Sequence, residues 1–189
     1  MNNKSIIKEK LNSYLKANID KELNTYPGPI EAEMSYPNLD PNRGYRTWLP
    51  VNSEVSDEDV KELESLIGYR LPEDYIIFLR HKHFYELYIA EASFCKHPIN
   101  KWMTHLNDMI FKGWPAYFLI EKGFIPFADW SDWGALCFDT NRNQTNFNYP
   151  IVLWDHDSPD GVIDVAENFL ELLVRLEKEN DEMWNSDEI

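Results

Sequence analysis

Apolar residues near the start of the chain recur at the spacing of an amphipathic helix. Ile6, Ile7, Leu11, Tyr14 and Leu15 fall on one face, which predicts a helix over roughly residues 4 to 24. A buried stripe of this kind requires a partner surface. We therefore expect this helix to pack on the rest of the chain.

The next segment, from Tyr26 to Pro50, predicts an extended or turn-rich connector, because proline cannot continue a helix. Its prolines and glycines are Pro27, Gly28, Pro29, Pro37, Pro41, Gly44 and Pro50. It also carries the apolar residues Ile30, Met34, Tyr36, Leu39, Tyr45, Trp48 and Leu49. A plain linker would hold fewer apolar residues, so we expect the connector to lie against the core.

A capped helix is predicted to follow Ser56. Ser56 is a candidate N-cap, and Asp59, three residues later, completes a shortened capping box. The buried face of this helix is predicted to be Val60, Leu63 and Ile67. Gly68 then suits the left-handed position that ends a helix.

A second helix begins after a short turn. Pro72 suits its first position, where the missing N–H costs nothing. Glu73 and Asp74 fall in the first turn, where the helix dipole favours negative charge. One apolar face then consists of Tyr75, Phe78 and Leu79. We expect this face to be buried against a sheet.

The rest of the chain mixes helix and strand signals. Residues 81–100 fit a continued helix about as well as a strand. A helix is predicted to follow, with Asn100 as its cap and with buried positions at Trp102, Leu106, Met109 and Ile110. Strand signals dominate from Phe118 to Leu153. A closing helix is predicted from Val165 to Leu176, and the tail from Glu177 is expected to fray.

Helices, then consecutive short strands, then a helix predict an α+β fold with a mainly antiparallel sheet. The 189 residues suffice for one domain with its own core. We expect a single domain over 1–189, with its core at 51–178. The helix and connector of 1–50 would pack on this core, and 179–189 would form an acidic tail.

The helix pair and the segments after it resemble the SUKH superfamily, whose founding members include a fungal cell-wall regulator. The resemblance rests on Gly68-x-x-Leu71-Pro72-x-Asp74-Tyr75-x-x-Phe78-Leu79, on strand-like segments at 123–129, 136–140 and 149–156, and on a helical segment at 168–173. It covers about residues 51 to 178. Family members often carry an Asn-Gly pair after the Phe-Leu of the second helix, whereas this chain has Arg80-His81-Lys82-His83.

The resemblance implies an α+β fold and a function without catalysis. Bacterial members act as immunity proteins, which bind and neutralise a polymorphic toxin that is often a nuclease. A second possibility is a protein-binding regulatory module like the fungal relatives.

Charge narrows the class of partner. The formal net charge is −15, so the chain would repel nucleic acid and anionic membranes. It would attract a basic protein. Taken alone, however, the acidity is better explained by a need for solubility than by a partner. The two cysteines form no Cys-x-x-Cys pair, and the sequence shows no secretory signal and no apolar run of membrane length. We therefore expect a cytoplasmic protein.

No complete metal or cofactor motif is present. The segment Asp155–Gly161 hints at a calcium loop, but its third aspartate comes one place late and Pro159 interrupts it. His81 and His83 form a His-x-His pair without the remaining zinc ligands at the usual spacing. The sequence holds neither a Gly-x-Ser-x-Gly elbow nor a Gly-rich phosphate loop. We expect no metal, no cofactor and no catalytic residue.

Acidic and aromatic residues alternate at two predicted turns. We expect Asp129, Trp130, Asp132 and Trp133, together with Asp155 and Asp157, to form a patch that binds a basic partner. Paired carboxylates beside aromatics also occur in glycoside hydrolases, which is a more distant alternative. Trp154 ends an apolar strand and is expected in the core. The patch requires both turns to emerge on the same edge of the sheet.

Overall fold

The computed structural model describes residues 2–36, 44–112, 115–132, 134–142, 147–157 and 161–186. Within them, the α-helices are α1 (Asn3–Asp20), α2 (Asp57–Ile67), α3 (Glu73–Leu79), α4 (Trp102–Phe111), α5 (Ala116–Glu121) and α6 (Phe169–Ser186). The strands are β1 (Thr25–Tyr26), β2 (Arg46–Thr47), β3 (Val51–Asn52), β4 (Lys82–His83), β5 (Leu87–Ile89), β6 (Ala92–Phe94), β7 (Phe124–Trp130), β8 (Gly134–Asp139), β9 (Ile151–Asp155) and β10 (Val162–Ala166). A short 3₁₀ helix spans Ala32–Met34.

Six strands form one antiparallel sheet in the order β10-β9-β8-β7-β6-β5, so each strand pairs with its neighbour along the chain. Two small sheets pair β1 with β2 and β3 with β4. The helices α1, α2 and α3 precede the six-stranded sheet, α4 and α5 lie between β6 and β7, and α6 follows it. The predicted α+β fold with a mainly antiparallel sheet is confirmed.

The main core contains residues of the sheet and of the helices α1, α2, α3, α4 and α6. Tyr75, Phe78 and Leu79 are only 2 %, 2 % and 3 % exposed, as predicted. Aromatic rings fill this core: the ring centroid of Tyr75 lies 5.1 Å from that of Phe138, and Phe78 lies 5.3 Å from Phe169. Deleting one of these rings would therefore leave a cavity.

The ends of the helix pair follow the predicted chemistry. The Asp59 N–H donates to Ser56 Oγ at 3.1 Å, and the Ser56 N–H donates to Asp59 Oδ2 at 2.8 Å, which completes the capping box. Gly68 ends α2 with a φ of 76°. Pro72 lies one residue before α3 and not at its first position. Glu64 of α2 accepts the Leu71 N–H at 2.9 Å and so holds the turn that leads into α3.

The N-terminal helix and the described part of the connector pack on the core. Met34 and Trp48 are both fully buried. The Glu31 carboxylate accepts the N–H groups of Ile99 and Asn100, both at 2.8 Å. This carboxylate therefore fastens the connector to the segment before α4.

Several local predictions were wrong. Phe118 lies in α5 and not in a strand. Residues 81–100, for which helix and strand were equally possible, contain three strands and no helix. These apolar runs are too short for periodicity to separate helix from strand. Asn100 does not cap α4, because its side-chain amide donates to Glu31.

The closing helix was also placed too early and ended too soon. Val165 belongs to β10, and α6 begins at Phe169 and continues to Ser186. Glu177 does not fray, because its carboxylate pairs with Lys10 of α1. The final helix thus contacts α1 beyond its predicted end.

A second, smaller apolar cluster covers part of the other face of the sheet. It consists of Leu119 from α5 and of Ala135, Cys137, Val152 and Trp154 from β8 and β9. Trp154 is 2 % exposed, so its predicted place in the core is confirmed.

Candidate functional site

Three hairpin turns meet at one end of the main sheet. The register pairs Ala92 with Trp130 and Gly134 with Asp155, which places the β5–β6, β7–β8 and β9–β10 turns side by side. The Ser131 N–H donates to the Glu91 carbonyl at 2.8 Å and so ties the first two turns together. The two predicted turns therefore emerge on the same edge, as the patch requires.

Gly134 permits the close approach of the second and third turns. A Cβ added at this position would lie 1.8 Å from the Trp154 carbonyl oxygen, which no real side chain tolerates. Ser131 and Ala90 reach φ values of 48° and 50°, in the left-handed region that tight hairpin turns use. Tight turns and the absence of a side chain at Gly134 therefore let the three hairpins lie close together at this end of the sheet.

Five carboxylates lie at this end of the sheet, on three different hairpins. We call them the acidic sheet end: Glu91, Asp129, Asp132, Asp155 and Asp157. Asp129, Asp132 and Asp157 are exposed, as is Glu91, while Asp155 is half-buried. The side chain of Asp155 accepts the Asp157 N–H at 2.9 Å, which orders the third turn.

The strand pleat separates Asp129 from Trp130. Asp129 shares a cross-strand row with Ala135 and Trp154, on the face of the smaller apolar cluster. Trp130 points to the opposite face and packs, half-buried, against the main core. These two neighbours in sequence therefore do not form a pair on one surface.

A surface cleft lies on the side of Asp129. It is lined by Asp129, Asp132, Trp154 and His156, together with Pro115 before α5. The adjacent Asp157 carboxylate lies 3.2 Å from His156 Nε2. The cleft thus brings together carboxylates of the β7–β8 hairpin and the ring of His156 from the β9–β10 turn.

The carboxylate of Asp129 is partly withdrawn from water. This desolvation raises the pKa of Asp129 above its usual range although its outer side is exposed. Among the residues that the structure describes, no hydrogen bond or ion pair to this carboxylate is found. A cation placed beside it would offset the desolvation and restore the charged form.

Sequence reasoning missed two residues at this site. Glu91 could not be assigned to the site from the sequence, because its segment fitted a helix about as well as a strand. Tyr88 lies in the same cross-strand row as Ser93 and Asp129 and is 47 % exposed. Only the long-range pairing of β6 with β7 brings these residues beside Asp129. Trp133, by contrast, lies outside the described residues.

The histidines considered for a metal site serve other contacts. His81 Nε2 lies 2.9 Å from Asn12 Oδ1. His83 is buried and stacks on His97 with ring centroids 4.8 Å apart. In the part of the chain that the structure describes, no three His, Cys, Asp or Glu side chains are grouped to hold a metal ion. Residues 158–160 of the calcium-like turn lie outside that part.

The chain was compared with sequence models of known protein families. The sequence model of the SMI1 / KNR4 family (SUKH-1) matches residues 54–175. The chain belongs to the SMI1/KNR4 (SUKH-1) family. Its members are generally not enzymes. None of the curated proteins compared with the chain matches it.

The SUKH-1 match contains the whole acidic sheet end and excludes α1 and the connector. The surface described above is therefore built on the family's own sheet. No helix within the described residues is both long and apolar enough to cross a membrane.

Proposed function

We propose that this SUKH-1 protein is a cytoplasmic immunity protein that binds and neutralises a basic toxin without catalysis. The observation that carries the proposal is the acidic sheet end, where three neighbouring hairpins bring five carboxylates to one end of the sheet. The chain has a net charge of −15, and its family resemblance implies toxin-neutralising relatives.

Charge supports a nuclease-type toxin as the partner. A nuclease attracts nucleic acid with lysine and arginine, and clustered carboxylates present the same sign of charge as phosphates. Such complementarity steers encounter and speeds association, which an inhibitor requires. Asp129 adds a desolvated carboxylate that a partner's cation would stabilise.

Aromatic side chains supply the apolar part of the proposed interface. Tyr88 presents an exposed ring two strands away from Asp129, and tyrosine is a common anchor in protein interfaces. Trp130 is half-buried, so we assign it to supporting the β7–β8 turn. The proposed contact of Trp133 rests on its place in the sequence, directly after Asp132.

The function is tested by co-expression with the basic, nuclease-like protein encoded next to this gene, if the genome holds one, or otherwise with the partner captured from a lysate of the source strain. We expect cells to survive the toxin only when the SUKH-1 protein is present. In vitro, nuclease activity should fall to zero at one equivalent of inhibitor.

The alternatives give different results in the same assays. A regulatory module would bind its partner without inhibiting a toxin. A glycan-degrading enzyme would show turnover of a polysaccharide. A captured partner that lacks toxic activity would contradict the immunity function and favour the regulatory reading.

A further inference from the structure

The strand β10 forms one outer edge of the main sheet. On one side it pairs with β9, and within the described residues no strand pairs with its other side. Alternate residues of an antiparallel strand direct their N–H and C=O groups away from its partner. The open edge therefore presents backbone groups that another strand could bind.

The first half of this strand is also apolar and exposed on both faces. Val162 lies opposite Trp154 and Ile163 opposite Leu153, so their side chains point to opposite faces of the sheet. They are 39 % and 56 % exposed. Natural edge strands are usually protected from pairing by a charge, a proline, a bulge or a covering segment. Within the part of the chain that the structure describes, no such feature is found at these two residues.

In the second half of the strand, two features oppose pairing with another strand. The register shifts between Asp164 and Ala166, which is a β-bulge. Arg175 Nη1 donates to the Val165 carbonyl at 2.7 Å and occupies it. Pairing at the outer edge is thus limited to Val162–Asp164, about 10 Å of strand at 3.3 Å per residue.

Charge selects the kind of segment that would pair here. The open stretch contains one carboxylate, Asp164, and it is flanked by two others, Asp157 and Glu167. The described arginines near this edge already hold acidic partners, because Arg142 pairs with Asp164 and Arg175 with Glu179. A second copy of this chain, with its own charge of −15, would be repelled.

We propose that the outer edge of Val162–Asp164 binds an extended, basic segment of a partner protein by strand addition. Backbone hydrogen bonds would supply the pairing, Val162 and Ile163 would supply apolar contacts, and the flanking carboxylates would favour lysine or arginine. This surface lies beside the β9–β10 turn of the acidic sheet end. The proposed strand addition does not depend on whether the partner is a toxin.

The test uses the full chain and two synthetic pentapeptides of alternating lysine and valine, blocked at both ends. The second peptide is N-methylated at alternate residues, so it keeps the charge but loses the outward N–H donors. Binding is followed by NMR titration at low salt. We expect the first peptide to shift the amides of Val162–Asp164 and to slow their hydrogen exchange, with an affinity at least about tenfold above that of its twin.

A pair of variants locates the site. Ile163→Lys should weaken binding of the unmodified peptide, because it adds like charge to the edge. Leu66→Lys is the matched control, since Leu66 is a similarly exposed apolar residue at 54 % but lies on α2. Its affinity should equal that of the unmodified protein.

Three results would overturn the proposal: equal affinity for both peptides, shifts that cluster away from β10, or no binding at millimolar peptide. Equal affinity would mean attraction by charge alone. The peptide comparison uses the unmodified protein, so it holds even if a variant fails to fold. It also requires no toxin, so its failure is distinct from failure of the immunity function.

Discussion

A buried histidine pair should make the stability of this protein sensitive to mild acid. His83 and His97 are 1 % and 2 % exposed. His83 Nε2 accepts the Glu54 N–H at 3.0 Å, so the proton of the ring lies on Nδ1, which donates to the His97 carbonyl at 3.0 Å. His97 Nε2 donates to the Leu79 carbonyl at 2.7 Å.

Both rings are therefore held neutral in the fold. Burial, reinforced by the neighbouring His83, lowers the pKa of His97 to about 3 from 6.5. Burial also lowers the pKa of His83, although a hydrogen bond to the His97 carbonyl and the charges of Glu31 and Glu54 oppose the change. Protonating His83 at Nε2 would place a donor against the Glu54 N–H.

The sign and size of the effect follow from linkage. Between pH 6.5 and about 3 the unfolded chain binds a proton that folded His97 does not, so stability is fully present above pH 6.5 and falls as the pH is lowered. At pH 5, which is 1.5 pH units below 6.5, the loss from His97 is about 2 kcal/mol, at about 1.36 kcal/mol per pH unit.

The assay is denaturant unfolding at pH 7.5 and pH 5.0 on the wild type and on His97→Gln. Glutamine keeps a donor for the Leu79 carbonyl but does not titrate. Every carboxylate is unchanged, so the variant controls for acid effects elsewhere. We expect the loss of unfolding free energy between the two pH values to be about 2 kcal/mol smaller in the variant. An equal loss in two folded proteins would refute the reasoning.

Three further predictions concern the core, the connector and metals. Phe78→Ala should lower the unfolding free energy by about 3–5 kcal/mol, measured by denaturant titration, and an unchanged melting temperature would contradict its place in the aromatic core. Glu31→Ala should lower the unfolding free energy by about 1–3 kcal/mol because it removes the charged acceptor of two backbone N–H groups. Glu33→Ala, at an exposed position two residues away, should cost little. Equal losses in the two variants would contradict a stabilising role for the Glu31 hydrogen bonds. Purified protein should hold no stoichiometric zinc or calcium by elemental analysis, and one equivalent that disappears on changing His81 or Asp157 would reverse this.

Local chemistry made the helix pair predictable. Ser56, Asp59 and Gly68 act within a few residues of themselves, so their capping roles can be read directly from the sequence. Phe118 and Val165 were assigned wrongly because a short apolar run fits either period. Beyond Leu176, α6 contacts α1 through the pair of Glu177 with Lys10, and no local pattern reveals this long-range contact.

The candidate site was predictable only in part. The turns carrying Asp129, Asp132 and Asp155 were found from their residue types, and the sheet register brings them together. Trp130 was grouped with Asp129 because the segment was taken as a turn, whereas β7 continues through Trp130 and the pleat separates them. Glu91 joins the site through a strand pairing that no sequence motif marks.

The most direct test of the central claim is the association rate with the toxin at two salt concentrations. Reversing charge with Asp129→Lys and Asp132→Lys should slow association at least about tenfold at low salt and flatten its salt dependence. Glu9→Lys and Glu62→Lys change the net charge equally at exposed positions of α1 and α2, and should slow association less than about threefold. Equal slowing in both double variants, or none in the first, would contradict binding through the acidic sheet end.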